Sequence, residues 1–296
     1  MTSGSQGTTS TRAPSPALAP LRILYAAYAW LLFLVLSLGV LVALVVTPGL
    51  ERRRRTARIG ARCFLRLAGM PLVVIAPERI PQGQCVIVAN HASYLDGVVL
   101  TAALPPRFGF VIKREMSDVP LGGLLLRRLG SEFVERFDRH RGAVDARRVL
   151  RNAVGGHSIV FFPEGTFKPQ PGLLRFHTGA FATAARAGCP VVPVVLRGTR
   201  VALTPGGFLP RPTRIEVEVL PPITSTATSA DAATVELRDL ARAAILERLG
   251  EPDLYASSAD ADSNASASSA RPSRDVERRT GPGGGVLPAQ EGEPQG

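Results

Sequence analysis

An uninterrupted apolar run near the N-terminus is the feature that most constrains this chain. Ile23 to Val46 comprises 24 residues without a charged side chain. As a helix rising about 1.5 Å per residue it would be roughly 36 Å long, enough to cross a hydrocarbon core of about 30 Å. The sequence therefore predicts a membrane-anchoring helix within residues 21–50, which either spans the bilayer or lies in one leaflet.

A cluster of arginines directly follows this run. Between Glu51 and Met70, seven arginines accompany a single glutamate. A cleaved secretory signal would end instead in small residues, so the cluster argues against one. Since positively charged flanks stay on the cytoplasmic side, the rest of the chain is predicted at the cytoplasmic face of the cytoplasmic membrane. The same charge could bind nucleic acid, but its position beside the apolar run favours membrane lipids, and no nucleic-acid partner is expected.

From residue 51 to 252, short β-branched runs alternate with helical patterns. This alternation predicts an α/β domain with a mainly parallel sheet flanked by helices. The predicted strands are Leu72–Ile75, Val86–Ala89, Phe108–Ile112, Phe133–Glu135, Ile159–Phe162, Val191–Leu196 and Ile215–Leu220. The predicted helices are Thr56–Gly69, Ser93–Ala103, Leu121–Leu129, Ala143–Val154, Thr178–Ala187 and Ala232–Leu249. Residues 1–20 and 253–296, rich in small and polar residues, are predicted to be disordered tails.

Cysteine and histidine usage predicts neither a disulfide framework nor a metal site. Cys63, Cys85 and Cys189 lie far apart in the sequence, and the four histidines lack metal-ligand spacing. Unpaired cysteines of this kind are typical of a reducing compartment. We therefore expect no metal and no cofactor.

The first candidate catalytic pair is His91 with Asp96. His91 falls in the turn between the predicted strand Val86–Ala89 and the helix predicted from Ser93, at the C-terminal edge of the sheet, where α/β proteins place ligands. Asp96, about one turn into that helix, could return beneath the imidazole, fix its tautomer and leave the other nitrogen free to take a proton. Ser93 and Asp96 also have the spacing of an N-terminal capping box, and the pair by itself leaves both interpretations open.

A second block, Phe161–Thr166, follows another predicted strand with the letters Phe-Phe-Pro-Glu-Gly-Thr. The proline ends the strand ladder, and the glycine lets the backbone approach a ligand closely. Taken alone, the block also fits an ordinary strand-ending turn.

Together the two blocks resemble the glycerolipid (lysophospholipid) acyltransferase family, in the branch of the 1-acyl-sn-glycerol-3-phosphate acyltransferases. Gly130–Arg136 and Val192–Val195 complete the family order, and the resemblance covers roughly residues 60–225. It implies an acyltransferase that moves a fatty acyl group from acyl-CoA or acyl-carrier protein to the free hydroxyl of a lysophospholipid acceptor. With 1-acyl-sn-glycerol-3-phosphate the product would be phosphatidic acid, a step of phospholipid biosynthesis.

The resemblance also implies roles for individual residues. His91 corresponds to a general base that deprotonates the acceptor hydroxyl, and Asp96 to the acid that orients it. The hydroxyl then attacks the thioester directly, without an acyl-enzyme. The positions associated with acceptor binding are Lys113, Arg136, Glu164, Gly165 and Thr166.

The chain departs from the family pattern after this block. The family often has arginine where Phe167 stands here, and Lys168 and Arg175 are the candidates to supply the missing charge. Lysine offers a point charge rather than the bidentate fork of arginine. Another lyso-lipid, such as a lyso-ornithine lipid, is therefore an alternative acceptor. A non-catalytic, membrane-tethered lipid-binding protein is a further alternative, against which the intact His91 and Asp96 speak.

Overall fold

In the part of the chain that the structure describes, seven strands form one sheet with helices on both of its faces. The computed structural model describes residues 19–135 and 139–255, apart from the side chains of residues 139–141 and 143. The strands are β1 Leu72–Ile75, β2 Val86–Ala89, β3 Gly109–Lys113, β4 Glu132–Val134, β5 Ile159–Phe161, β6 Val191–Arg197 and β7 Ile215–Val219. The helices are α1 Ala19–Val46, α2 Leu50–Leu67, α3 Asp96–Ala103, α4 Gly122–Arg128, α5 Arg139–Val154, α6 Gly179–Ala187, α7 Thr199–Ala202 and α8 Ala230–Leu249.

The strand order places β2 in the middle of the sheet. The order is β1-β7-β6-β2-β5-β3-β4, and every neighbouring pair is parallel except β6 with β7. Val86 of β2 is level with Ile159 of β5 on one side and with Val191 of β6 on the other. Because β2 and β5 run in the same direction, the segments that follow them leave the sheet side by side. The predicted α/β class with a mainly parallel sheet is confirmed.

Alternate residues of β2 pack into two different cores. Ile87 and Ala89 face a cluster formed with α2, α3 and part of α1, whereas Val86 and Val88 face a cluster formed with α6 and α8. This alternation follows from the two-residue period of a strand. All four residues of β2 are fully buried, which explains why the strand reads as a continuous apolar run.

Most predicted elements are present with shifts of a few residues at their ends. The strands β1 and β2 have the predicted bounds, but the helix after His91 begins at Asp96, three residues later than predicted. Asp96 is thus the first residue of α3 and does not lie one turn into it. The short helix α7 and two 3-10 turns, Pro77–Arg79 and Arg114–Ser117, were not predicted.

Three of the clustered arginines hydrogen-bond to carbonyls of neighbouring elements. Arg54, Arg58 and Arg62 recur every four residues on one side of α2. Arg58 and Arg62 donate to the Ala102 carbonyl at the end of α3, over 3.3 and 2.8 Å. Arg54 donates to the carbonyls of Leu129, Arg107 and Gly130 at 3.0, 2.8 and 3.4 Å. Most of these carbonyls lie at the ends of α3 and α4, where a helix leaves carbonyls unpaired, so part of the cluster stabilises the fold.

The helices α1 and α2 form an antiparallel hairpin against the domain. Tyr25 donates its hydroxyl to the Ala68 carbonyl at 2.6 Å, near the end of α2. Farther along, the two helices approach so closely that a Cβ on Gly60 would lie 2.4 Å from Cγ2 of Val40. Among the described residues, α1 is the one helix long and apolar enough to cross a membrane, judged by length and composition. Most of its large apolar side chains remain exposed.

The contacts of the domain extend to Tyr255, slightly past the predicted boundary at residue 252. Leu173 and Asp253 form a β-bridge, and Leu254 donates its N–H to the Leu173 carbonyl. Of the predicted disordered tails, residues 1–18 and 256–296 lie outside the described part of the chain.

We expect Arg54→Met to lower the free energy of unfolding by about 1 to 3 kcal/mol, because it leaves partly buried carbonyls without a donor. Arg52→Met is the matched control, since Arg52 is exposed on the same helix. Thermal unfolding of the purified variants in detergent micelles measures the difference. Equal stability of the two variants would show that the Arg54 contacts contribute nothing.

Candidate active site

The turn after β2 brings His91 and Asp96 together. Nδ1 of His91 lies 2.7 Å from Oδ2 of Asp96. The same oxygen accepts the backbone N–H groups of Ala92 and Ser93 at 2.7 and 2.8 Å. Asp96 is fully buried, and the side chain of His91 is 19% exposed. A carboxylate held in this way favours the tautomer with a proton on Nδ1 and leaves Nε2 as a proton acceptor.

The contacts of this turn contain only part of the capping arrangement that the sequence offered. Asp96 accepts the N–H of Ser93, as in one half of a capping box, but α3 begins at Asp96 and the residue before it, Leu95, makes no side-chain cap hydrogen bond. The hydroxyl of Ser93 accepts the N–H of Leu95 at 3.2 Å and donates to the carbonyl of Leu203 at 2.8 Å. The helix-start contacts therefore hold the carboxylate rigid while it contacts the imidazole, so the two interpretations do not exclude each other.

Glu164 hydrogen-bonds the second block, Phe161–Thr166, to the turn that carries His91. The turn after β5 directs its carboxylate inward, where Oε1 accepts the N–H of His91 at 2.6 Å and Oε2 accepts the N–H of Leu174 at 2.9 Å. Glu164 is 3% exposed. Gly165 has a φ of 72°, in the left-handed region that glycine adopts without strain. The carboxylate thus links the backbone of His91 to the loop that follows the second block.

Burial raises the pKa of Glu164 to about 7, although the two backbone N–H groups act in the opposite direction. The negative charge of Asp96 adds to the increase, and Arg200 opposes it. A carboxyl group that titrates near neutral pH beside a histidine is a common feature of functional sites.

Aromatic rings surround the imidazole. Phe162 stacks on His91 with a centroid distance of 4.3 Å and an interplanar angle of 20°. Phe167 contacts the imidazole edge-on at 4.4 Å and also meets the ring of Tyr94 at 4.8 Å. Phe167 therefore lies against His91, where the family often has an arginine. No pattern in the sequence indicated that Tyr94 would take part in this cluster.

A cavity of about 640 Å³ opens beside His91. Its walls come from α1, α2, α3, α4 and β3, and its volume lies within the range of roughly 300 to 1,000 Å³ typical of ligand pockets. Apolar side chains predominate in the lining, including Phe33, Leu36, Phe64, Leu100, Phe110 and Leu125. Four of its lining residues belong to α1, so the predicted membrane helix also forms part of the cavity wall.

The other predicted site residues have different positions. Lys113, Gly165 and Thr166 line the cavity. Lys168 and Arg175 are exposed on the loop after the second block, and the guanidinium of Arg175 lies 5.7 Å from the ring centroid of Tyr255. Arg136 lies outside the described residues.

Residues distant in sequence hold this loop. Arg200 pairs with Glu251 at 3.0 Å and donates to the carbonyl of Lys168. Glu251 in turn accepts the N–H of Gly172 at 2.6 Å. The segment after α8 thereby supports the loop that begins at the second block. Nothing in the local pattern of Arg200 or Glu251 indicated this role, because their partners are far away along the chain.

The chain is similar to known proteins of one family. The Acyltransferase family model matches residues 72–197. Over 181 residues the chain is 34% identical to the 1-acyl-sn-glycerol-3-phosphate acyltransferase of Haemophilus influenzae, covering 57% of this chain and 73% of that protein. It is also 39% identical over 124 residues to the lysophospholipid acyltransferase LPEAT1 of Arabidopsis thaliana, covering 40% of this chain and 30% of that protein.

A solved structure has the same fold. The 1-acyl-sn-glycerophosphate (LPA) acyltransferase PlsC of Thermotoga maritima superposes with a TM-score of 0.64. The superposition covers 77% of this chain and 96% of that one, at 21% sequence identity. At this identity the likeness concerns the fold alone.

We expect the protonation of Glu164 to make stability depend on pH. Because its pKa is raised from 4.5 to about 7 in the folded state, the folded protein keeps this proton while the unfolded chain loses it. The resulting stabilisation is fully present below pH 4.5 and is lost as the pH rises through about 7. Between pH 4.5 and about 7, the free energy of unfolding of the wild-type protein should therefore fall by about 1 to 3 kcal/mol relative to that of Glu164→Gln. Thermal unfolding of both proteins across the interval measures it, and a constant difference would contradict the titration.

Proposed function

This chain belongs to the glycerolipid acyltransferase family, and we propose that it acylates the free hydroxyl of 1-acyl-sn-glycerol-3-phosphate to give phosphatidic acid. The donor is the thioester of acyl-CoA or acyl-carrier protein. The observation that carries the proposal is the 2.7 Å contact between His91 Nδ1 and Asp96 Oδ2 beside a large apolar cavity. The names of the relatives agree with this substrate class.

The chemistry follows from the position of the imidazole. With its Nδ1 proton directed at Asp96, His91 takes the proton of the acceptor hydroxyl on Nε2. The hydroxyl oxygen attacks the thioester carbonyl, the carbon–sulfur bond breaks, and the imidazolium returns its proton to the leaving thiolate. Asp96 stabilises the transient imidazolium, and its three N–H contacts keep it in place. The rings of Phe162 and Phe167 shield this proton transfer from water.

The cavity fits an acyl chain better than a polar ligand. Its lining is mainly apolar, and burying a methylene group contributes about 0.8 kcal/mol. Lys113 is a cation in that lining and is the proposed contact for the acceptor phosphate. Gly165 and Thr166, also in the lining, are proposed acceptor contacts, and Glu164 holds their turn against His91.

The charge around the head group is a finer part of the proposal. Lys168 and Arg175 are exposed. We propose that they attract the acceptor phosphate to the entrance of the cavity and do not bind it beside His91. Phe167 occupies the position next to the imidazole. An acceptor with a less charged head group is the second candidate, because this aromatic contact favours apolar neighbours over a phosphate.

For the membrane, we propose that α1 lies in one leaflet at the cytoplasmic face. If α1 crossed the bilayer, α2 would enter the hydrocarbon with it, because Tyr25 of α1 contacts the C-terminal end of α2 and Val40 packs against Gly60 in its middle. Through Arg54 and Arg62, α2 is hydrogen-bonded to the catalytic domain. Burying that domain in lipid would leave many polar groups without partners. An in-plane helix buries the exposed apolar face of α1 and leaves the domain in water.

We expect His91→Ala to reduce acyl transfer by about 10² to 10⁴, which is the usual contribution of a positioned general base. His157→Ala is the matched control, since His157 is exposed and bonded to the Asn152 carbonyl at the end of α5. The purified proteins are supplied with acyl-CoA or acyl-carrier protein and a panel of lyso-lipids, and the products are measured by mass spectrometry.

Equal transfer by the wild-type protein and His91→Ala would rule out His91 as the base. If the protein acylates a lyso-ornithine lipid but not 1-acyl-sn-glycerol-3-phosphate, the proposed acceptor is wrong, and the proposed role of His91 is unaffected.

The in-plane helix predicts that the start of α1 and the turn between α1 and α2 face the same side, whereas a spanning hairpin would place them on opposite sides. Pro48 in that turn is exposed, and Cys85 is buried, which raises the pKa of its thiol to about 11. In a background with Cys63→Ser and Cys189→Ser, a membrane-impermeant maleimide should therefore label the thiols introduced by Ser10→Cys and by Pro48→Cys, each in a separate variant, from the cytoplasmic side alone. Labelling of the two thiols from opposite sides would establish a spanning helix.

A further inference from the structure

The segment between α7 and β7 exposes large apolar side chains next to α1. Phe208 is 79% exposed and Leu209 is 45% exposed. Exposed phenylalanine rings of this kind are uncommon on surfaces that face water alone and mark contact surfaces when they join a larger apolar patch. We call residues 204–210, Thr-Pro-Gly-Gly-Phe-Leu-Pro, the 204–210 loop.

The 204–210 loop is fixed at its tip to the apolar helix. Trp30 of α1 donates its indole N–H to the Phe208 carbonyl at 2.8 Å. Trp30 is itself 41% exposed, and Leu31 and Leu34 beside it on α1 are 62% and 57% exposed. The exposed side chains of the loop therefore continue the exposed apolar face of α1.

The base of the loop is equally well defined. Gly207 donates its N–H to the Thr204 carbonyl at 2.9 Å in a turn where Gly206 has a φ of 75°. Arg211 closes the loop by donating its N–H to the Ala202 carbonyl at 2.8 Å. Two prolines, Pro205 and Pro210, further restrict the backbone. The loop thus presents Phe208 and Leu209 from a stiff support.

The loop is also connected to the candidate active site. The hydroxyl of Ser93, two residues after His91, donates to the carbonyl of Leu203 at 2.8 Å. Leu203 is buried and directly precedes the loop. Two hydrogen bonds therefore connect the 204–210 loop to its surroundings: Ser93 links its base to the turn that carries His91, and Trp30 links its tip to α1.

The electrostatic surroundings favour a lipid surface as the occupant. From Thr199 to Arg214 the sequence contains no acidic residue, while Arg211 is exposed three positions after Phe208. Apolar side chains flanked by arginine are the composition that inserts into the headgroup region of an anionic membrane. An indole that bonds a carbonyl while exposing its ring is also typical of this interface.

We propose that the 204–210 loop is a second membrane-contact element, which inserts Phe208 and Leu209 into the leaflet that holds α1. With both α1 and the 204–210 loop in the leaflet, the orientation of the cavity beside His91 relative to the bilayer is defined. Contact through α1 alone would leave the domain free to rotate about the helix axis. The inference rests on the proposed membrane association of α1 and is independent of the acyl-transfer chemistry.

The test places a fluorescent reporter on the loop. The full chain with Cys63→Ser, Cys189→Ser and Phe208→Cys is labelled with an environment-sensitive dye and reconstituted into vesicles of phosphatidylethanolamine and phosphatidylglycerol. Leu240→Cys in the same background is the matched control. Leu240 is 47% exposed on α8, whose core lies on the opposite face of the sheet. The expected result is a blue shift and loss of iodide quenching at position 208, with quenching by lipids spin-labelled near the headgroup. Position 240 should remain open to iodide.

Two results would overturn the proposal. Iodide quenching at position 208 equal to that at position 240 would show that the loop faces water. Protection from iodide without quenching by the labelled lipids would assign the surface to another protein, such as a second copy of this chain.

Trp30 is the one tryptophan of the sequence and reports on α1 in the same vesicles. If brominated lipids quench Trp30 but position 208 remains in water, the membrane contact of the 204–210 loop is ruled out and the membrane association of α1 is supported. If neither is quenched, the proposed membrane association of α1 fails.

Discussion

The parallel pairing of β2 with β5 is the constraint on which the candidate site depends. Because the two strands run in the same direction at the centre of the sheet, the turns after them emerge together. His91 leaves β2 and Glu164 leaves β5, and the carboxylate of Glu164 accepts the N–H of His91 at 2.6 Å. Two segments separated by more than seventy residues thereby become one rigid unit. An antiparallel arrangement of the same strands would put the two turns at opposite edges.

Within that unit, Asp96 and Glu164 have different relations to His91. Asp96 contacts the imidazole and is held by two further N–H donors, whereas Glu164 contacts the backbone of His91. Both carboxyl groups are buried, and donors meet both oxygens of Glu164 but only Oδ2 of Asp96, whose Oδ1 has no hydrogen-bond partner, so the cost of removing Asp96 from water is offset in part. The imidazole is therefore oriented through its ring by one acid and through its main chain by the other.

Not all of the arginines that are clustered in the sequence of α2 are available to bind a partner, because three of them are bonded within the protein. A lipid-facing belt would have its guanidinium groups on the outer side of α2. Instead, Arg54, Arg58 and Arg62 bond to carbonyls at the ends of neighbouring elements. Their spacing of four residues predicts one shared face of the helix, but the sequence does not say whether that face meets water or protein. The same packing fixes α1 against the domain and makes it part of the cavity wall.

Local sequence patterns were sufficient for the strands, for the longer helices and for the proximity of His91 and Asp96. Mostly apolar runs of three to six residues predicted the strands, and the five-residue separation of His91 and Asp96 brings them into contact because both lie in one turn. The comparison with known proteins confirmed the family that these residues resemble. The position of Glu164 relative to His91, the support of the following loop by Arg200 and Glu251, and the closure of the cavity by Phe33 and Phe64 depended on tertiary structure. These contacts join residues whose separation along the chain carries no information about their distance in space, which strand order and helix packing alone determine.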